Sequence, residues 1–203
     1  MTKRILGFLL LFLSLTMVEL NAQEFDPRKD FIYGEDYFRP YSPYLVVNGG
    51  YGFNFNTQKP EQNLAVDYHF RWKFEYLHFN LGYFSSTDRF LEGAKFKIYR
   101  SPQRSQEFHV GLGTRYSVLK HNIGGYGGIS LVAGRQKMND DMFITRLGPG
   151  VYAQLHYHWK PVYDLGIGTA LYLSVSEHWQ VLGLQVSFLF SGDYKPPAPP
   201  KVY

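Results

Sequence analysis

The chain has 203 residues, no cysteine, and a formal net charge of +4 from 21 Lys and Arg against 17 Asp and Glu. Without cysteine there is no disulfide framework, no thiol catalysis, no zinc–thiolate site and no lipid attachment at a mature N-terminal cysteine. A positive excess this small and dispersed is not a nucleic-acid-binding stripe, so nucleic acid is not an expected partner.

Lys3 and Arg4 precede an apolar run of roughly 14 residues from Ile5 to Val18, and Leu20-Asn21-Ala22 ends it on a small residue. This is the pattern of a secretory signal over 1–22, too short for a comfortable membrane helix. Gln23 is the expected mature start. Residues 23–43 are polar, aromatic and broken by Pro27, Pro40 and Pro43, and they read as an irregular N-terminal arm.

From there a two-residue alternation takes over. Segment 44–56 places Leu45, Val47, Tyr51, Phe53 and Phe55 on one face, and 64–74 places Leu64, Val66, Tyr68, Phe70, Trp72 and Phe74 opposite Asp67, His69, Arg71 and Lys73. The phase then slips, so that Leu77, Phe79, Leu81 and Tyr83 share a face. A one-residue slip turns a strand over, which requires a turn or bulge near Glu75-Tyr76. Further candidates are 94–100, 107–119, 126–136, 143–159, 163–175 and 179–190. In 107–119, for instance, Phe108, Val110, Leu112 and Tyr116 oppose His109, Gly111, Gly113, Arg115 and Ser117. Ser101-Pro102, Asn139-Asp140-Asp141, Lys160-Pro161 and Ser176-Glu177-His178 supply turn chemistry between them.

An exported chain with strands greasy on one side, and no later apolar run long enough for a helical span, crosses hydrocarbon only as a closed barrel. The fold class expected is all-β: an antiparallel up-and-down transmembrane β-barrel. Bacterial single-chain barrels have even strand numbers. The nine candidates become eight if the two segments around Glu75 join, and ten if 143–159 splits at Gly148-Pro149-Gly150; eight is the reading, ten the alternative. A soluble lipocalin-like barrel would leave the nearly unbroken aromatic and aliphatic face with no helix to cover it.

The last segment carries a resemblance. Leu182, Leu184, Val186, Phe188 and Phe190 alternate in the manner of the closing strand of outer-membrane β-barrels, where such a strand ending in Phe is the recognition signal for the barrel-assembly machinery. The pairs Gly111/Gly113 and Gly166/Gly168 are similar to those of small eight-stranded members. This resemblance spans most of 44–190 and implies a bacterial outer-membrane location, lipid contact, and both ends in the periplasm. In many members the terminal Phe is the final residue, whereas here 191–203 follows.

That tail contains Tyr194, Lys195, Pro196, Pro197, Pro199, Pro200 and Lys201. Such a sequence favours extended polyproline II chain, cheap to dock because it is already ordered. It reads either as a solvated end or as a docking strip for another envelope protein.

The polar faces define an expected lumen network of Asp67, His69, Arg71, Lys73, Lys95, Lys97, His109, Arg115, Gln154, His156, His158 and Asp164, with Tyr152 and Tyr172 alongside. An eight-stranded interior is about filled by its own side chains, so a plugged core is expected before a channel. His156 and His158 share a strand face at a spacing compatible with metal, but no third ligand is fixed by sequence, and no metal or cofactor is expected. Resemblance to outer-membrane lipid A deacylases would require a His-x-Ser pair on a lipid-facing strand. The nearest strings, His156-Tyr157-His158 and Ser174 to His178, do not supply one, so no enzyme is expected. The functional expectation is a structural or accessory subunit of an envelope assembly for secretion or barrel insertion. A narrow pore or small-ligand barrel is the alternative, and a lipid-modifying enzyme the third.

Overall fold

The computed structural model describes residues 31–33, 36–38, 42–71, 77–88, 91–92, 95–96, 104–118, 120–139, 142–162, 164–192 and 194–195. The expected signal over 1–22 lies outside them. Thirteen strands are found among the described residues: β1 (Phe31–Tyr33), β2 (Asp36–Phe38), β3 (Tyr44–Asn54), β4 (Lys59–Arg71), β5 (His78–Thr87), β6 (Leu91–Glu92), β7 (Lys95–Phe96), β8 (Arg104–Val118), β9 (His121–Asn139), β10 (Met142–Val162), β11 (Leu165–Ser176), β12 (Gln180–Ser191) and β13 (Tyr194–Lys195).

Eight of them close a barrel in the order β10-β11-β12-β3-β4-β5-β8-β9. Every pairing is antiparallel, and the seam joins β12 to β3 from Ser191↔Tyr44 to Val181↔Asn54. Closure satisfies the backbone of both edge strands, the condition for burying a sheet in hydrocarbon. Alternation is the local cause: along β12, Val181, Gly183, Gln185, Ser187 and Leu189 are buried while Leu182, Leu184, Val186, Phe188 and Phe190 are exposed. At ~3.4 Å per residue and a tilt of ~40°, that outward set covers an apolar height of roughly 20–25 Å. A continuous exposed apolar wall of this size is a lipid-facing surface.

The count of eight is reached differently from the expectation. The segments before and after Glu75 are separate strands, β4 and β5, paired from Gln62↔Thr87 to Arg71↔His78. Segment 94–100 is the one that drops out, because β5 pairs directly with β8. Lys95 lies on β7, which pairs only with β6 through Leu91↔Phe96 and Glu92↔Lys95. Two residues, Gly93-Ala94, separate these short strands, so a local hairpin takes the segment before it can join the wall. Segment 143–159 also does not split. β10 runs through Gly148-Pro149-Gly150, and its ladder with β11 begins only at Gly150. Pro149 thus sits beyond the β11 ladder, a place where a strand tolerates a missing N–H.

The two rims differ. Tyr44, Arg71, His78, Val118, His121, Val162, Leu165 and Ser191 end their strands at one end of the barrel, the near rim. Asn54, Lys59, Thr87, Arg104, Asn139, Met142, Ser176 and Gln180 end theirs at the other, the far rim, where β9 and β10 stay paired out to Asn139↔Met142, well past the start of the β11 ladder. The arm, expected to be irregular, contains the β1–β2 hairpin, with Tyr33↔Asp36 flanking Gly34-Glu35. β-favouring aromatics around a leading glycine fit a two-residue hairpin. The tail joins it: Tyr194↔Phe38 and Lys195↔Tyr37 pair β13 with β2, giving the sheet order β1-β2-β13.

The lumen as candidate functional site

The inward positions of the eight strands form a packed polar column. At its centre Asp67 and His109 are both excluded from solvent, with Nε2 of His109 2.7 Å from Oδ1 of Asp67. Asn48 Nδ2 and Gln154 Nε2 donate to Oδ2 of Asp67 at 3.0 and 3.1 Å. One carboxylate therefore ties β3, β4, β8 and β10 together, and the low dielectric strengthens each of these contacts.

Glycines create the space. Tyr152, Gly128, Gly111 and Asn80 stand in one cross-barrel row on β10, β9, β8 and β5. Tyr152 reaches past Gly111 and donates its hydroxyl to Asn80 Oδ1 at 2.7 Å. A Cβ on Gly111 would overlap that hydroxyl. Likewise Gly124 stands where a Cβ would meet the ring of His156.

Toward the near rim the column is closed by Tyr44 and Arg115. The Tyr44 ring stacks on His69 at 4.4 Å, its hydroxyl is 2.8 Å from that of Tyr126, and the Arg115 guanidinium lies 4.3 Å over its face. Arg115 also donates through Nε to Asn122 Oδ1 at 2.5 Å and through Nη1 to the Ser42 carbonyl at 2.9 Å. His158 sits 2.6 Å from Ser187 Oγ and 3.3 Å from Asn122 Nδ2. Toward the far rim Glu107 accepts from the Tyr172 hydroxyl at 2.7 Å and from Ser174 Oγ. Above it an apolar cluster of Phe84, Val132, Tyr172, Trp179 and Val181 caps the column. The Trp179 ring lies over Gly134, where a Cβ would come within 2.8 Å of it.

Of the residues expected in the lumen, Asp67, His69, His109, Arg115, Gln154, His156 and His158 are buried inside the barrel. Arg71 is half-buried at the last position of β4. Asp164 is half-buried. It stands in the near-rim turn, where its carbonyl accepts from the Ser191 N–H at 2.8 Å. Lys95 belongs to the small β6–β7 sheet and not to a barrel strand, and Lys73 and Lys97 lie outside the described residues. Of the tail residues, Tyr194 and Lys195 pair with β2, and Pro196, Pro197, Pro199, Pro200 and Lys201 lie outside the described residues. Leu184, Val186, Phe188 and Phe190 face outward on β12.

The sequence reading missed two buried carboxylates. Glu61 accepts from Asn54 Nδ2 at 2.8 Å and from Ser86 Oγ. Counting back in twos from Asp67 reaches it, through Ala65 and Asn63, and counting back from His109 reaches Glu107.

Among the described residues no group of three or more His, Asp or Glu is arranged to hold a metal ion. Ser176 and His178 do not form a relay. The Ser176 hydroxyl accepts from the Trp179 N–H and donates to the Trp179 carbonyl, both at 3.0 Å, while His178 sits 2.9 Å from Nη1 of Arg146.

No family model and no curated protein matches the sequence. Solved structures do match. Neisserial surface protein A is similar with a TM-score of 0.54 at 8% identity, over 73% of this chain and 96% of that one. The attachment invasion locus protein Ail of Yersinia pestis is similar with a TM-score of 0.51 at 9% identity, over 73% of this chain and 97% of that one. The same protein in complex with the heparin analogue sucrose octasulfate gives a TM-score of 0.50 at 8% identity, over 73% of this chain and 97% of that one. At such identities the likeness concerns the fold, and the fold is that of the small eight-stranded β-barrels of the bacterial outer membrane.

Proposed function

We propose that this barrel is a non-enzymatic structural or accessory subunit of a larger envelope assembly, one for secretion or barrel insertion, with its near rim and both chain ends in the periplasm. The observation that carries the reading is the filled lumen. Side chains occupy it from Arg115 and Tyr44 to Trp179, and at its centre Asp67 is held by Asn48, His109 and Gln154. That leaves the outer wall and the rims to do the work.

The joined ends support the periplasmic half of the reading. In the order β1-β2-β13 the outer edges belong to β1 and β13, and an unpaired strand edge is a template for strand addition by a partner.

The test is a gentle detergent pull-down of the full-length protein from envelope membranes, beside a variant lacking 192–203, with mass spectrometry of the co-purifying proteins. A stoichiometric set of envelope proteins held by the full chain and lost from the truncation is the expected result. Retention by the truncation would defeat the tail as the docking element, and a lone barrel in both samples would defeat the accessory-subunit reading.

A further inference from the structure

The outward positions of β9 run Leu131, Ile129, Gly127, Gly125, Ile123 and His121. At ~3.4 Å per residue and a tilt of ~40° they span roughly 25 Å of height, close to the ~30 Å of a hydrocarbon slab. At the upper end Leu131 pairs with Phe108 and Phe108 with Tyr83, two rings whose centroids are 5.1 Å apart. His121 therefore stands at the opposite interface, on the near rim. Asn122 beside it is fully buried, so the alternation holds to the end of the strand and the imidazole belongs to the lipid-facing side.

This imidazole is held in place. Its Nδ1 lies 2.9 Å from the hydroxyl of Tyr157, and the two rings stack at 6.1 Å. With that hydroxyl donating to Nδ1, the ring proton sits on Nε2 and leaves an N–H for another acceptor. Trp159 is the direct ladder partner of His121, and Lys120 precedes it in the turn. The Lys120 carbonyl accepts from the Lys160 N–H at 2.6 Å, which fixes the root of its side chain at this corner. All four side chains are exposed, Trp159 at 46% and Tyr157 at 42%. Tyr and Trp beside a cation are the composition of the headgroup level. Asp164, in the neighbouring turn, is half-buried and has interactions of its own.

We propose that Lys120 and His121 bind the phosphate of an anionic membrane lipid in the leaflet at the near rim. The ammonium and the imidazole N–H donate to phosphate oxygens, Trp159 and Tyr157 pack at the level of the glycerol, and the acyl chains lie along Ile123 and Leu155. Charge and continuity name the occupant. The cation stands at the edge of a patch that runs through Tyr157 and Ile123 into the exposed apolar wall without a break. The site does not depend on the subunit reading above.

The experiment is native mass spectrometry of the full chain in detergent with added phosphatidylglycerol, diacylglycerol with the same chains, and inorganic phosphate as competitor. Phosphatidylglycerol is expected to be retained by the wild type and by Lys59→Gln, which removes an exposed cation at the other rim. Retention should fall about tenfold or more in K120Q/H121Q, and diacylglycerol should bind the wild type no better than phosphatidylglycerol binds that variant. Lys120→Glu should give the same loss, and it decides the matter if the double variant is not heat-modifiable. Tyr157→Phe keeps every charge and should still lose retention severalfold. Retention at the wild-type level in K120Q/H121Q or Lys120→Glu, equal binding of diacylglycerol, or an equal loss in Lys59→Gln overturns the site. Undiminished retention in Tyr157→Phe removes the imidazole from it. Displacement of phosphatidylglycerol by equimolar inorganic phosphate overturns the lipid as its ligand.

Discussion

Asp67 and His109 stand on either side of Gly82 in one cross-strand row, Asp67↔Gly82 on β4–β5 and Gly82↔His109 on β5–β8, and their side chains meet over the glycine at 2.7 Å. The strand between them has no side chain at that point, so two groups one strand too far apart for ordinary pairing come into contact. Removing the acceptor from a buried hydrogen-bonded set leaves its donors unsatisfied, which costs about 1–3 kcal/mol for each group. Asp67→Ala is expected to lose stability on that scale, since Asn48 and Gln154 also lose their acceptor. Asp67→Asn should lose less, ~1–3 kcal/mol, because the amide oxygen still accepts from those two and its NH₂ faces His109. Urea titration of the barrel folded into lipid vesicles, followed by Trp fluorescence, checks both.

The glycines give a sharper contrast. A methyl at Gly82 would overlap both Asp67 Oδ1 and His109 Nε2, whereas one at Gly148 meets nothing within 4 Å. Gly82→Ala is expected to destabilise by ~1–3 kcal/mol or more through overpacking. Gly148→Ala should stay within ~0.5 kcal/mol of the wild type, the range of substitutions away from packed features. Equal effects of the two in the same titration would contradict the row geometry.

These rows also explain how much was readable from the sequence. The parity of each strand is local information, so the inward placement of Asp67, His109, Arg115 and Gln154 follows from alternation alone. Which inward residues touch is not local. Tyr152 reaches Asn80 only because Gly128 and Gly111 fall in its row, and that register is fixed by strand ends and turns distributed over the chain. Strand membership fails for the same reason. Lys95 alternates like a wall residue, but pairing with β6 across Gly93-Ala94 closes a much shorter loop than joining the barrel would, and the shorter closure costs less entropy. Glu61 escapes the sequence reading because the segment read there begins at Leu64, whereas β4 begins at Lys59. Pro60 is tolerated there because the β4 ladder with β5 ends at Gln62.

The outer wall makes its own prediction. Val186 lies midway along the outward set of β12, and Leu147 lies on β10 beyond the start of the β11 ladder, toward the far rim. If this wall meets lipid, a charge costs most at the midplane, about 2–4 kcal/mol for Arg, and about 0–1 kcal/mol near an interface. Val186→Arg should therefore destabilise the vesicle-folded barrel far more than Leu147→Arg. Both positions are exposed in the isolated chain, at 51% and 67%, so a water-facing wall would tolerate both alike. Equal small effects in vesicle titrations would rule out the lipid-facing assignment.

A polar column suggests a conduit, but its packing argues otherwise. Passage along the axis would have to displace Arg115 from the Tyr44 ring at the near rim and Trp179 from Gly134 at the far rim. Between these ends lies the row in which Asp67 holds Asn48, His109 and Gln154 from three other strands. Removing one end group opens a vestibule and leaves that row intact. The wild type, Arg115→Ala and Trp179→Ala are all expected to show no steady single-channel conductance in planar bilayers, while the alanine variants lose stability through the contacts they give up. A stable ohmic conductance from the wild type would show that the central row opens in the membrane, and the barrel's work would then lie in its lumen. Conductance gained by Arg115→Ala alone would place the barrier at the near rim and take it away from the Asp67 row.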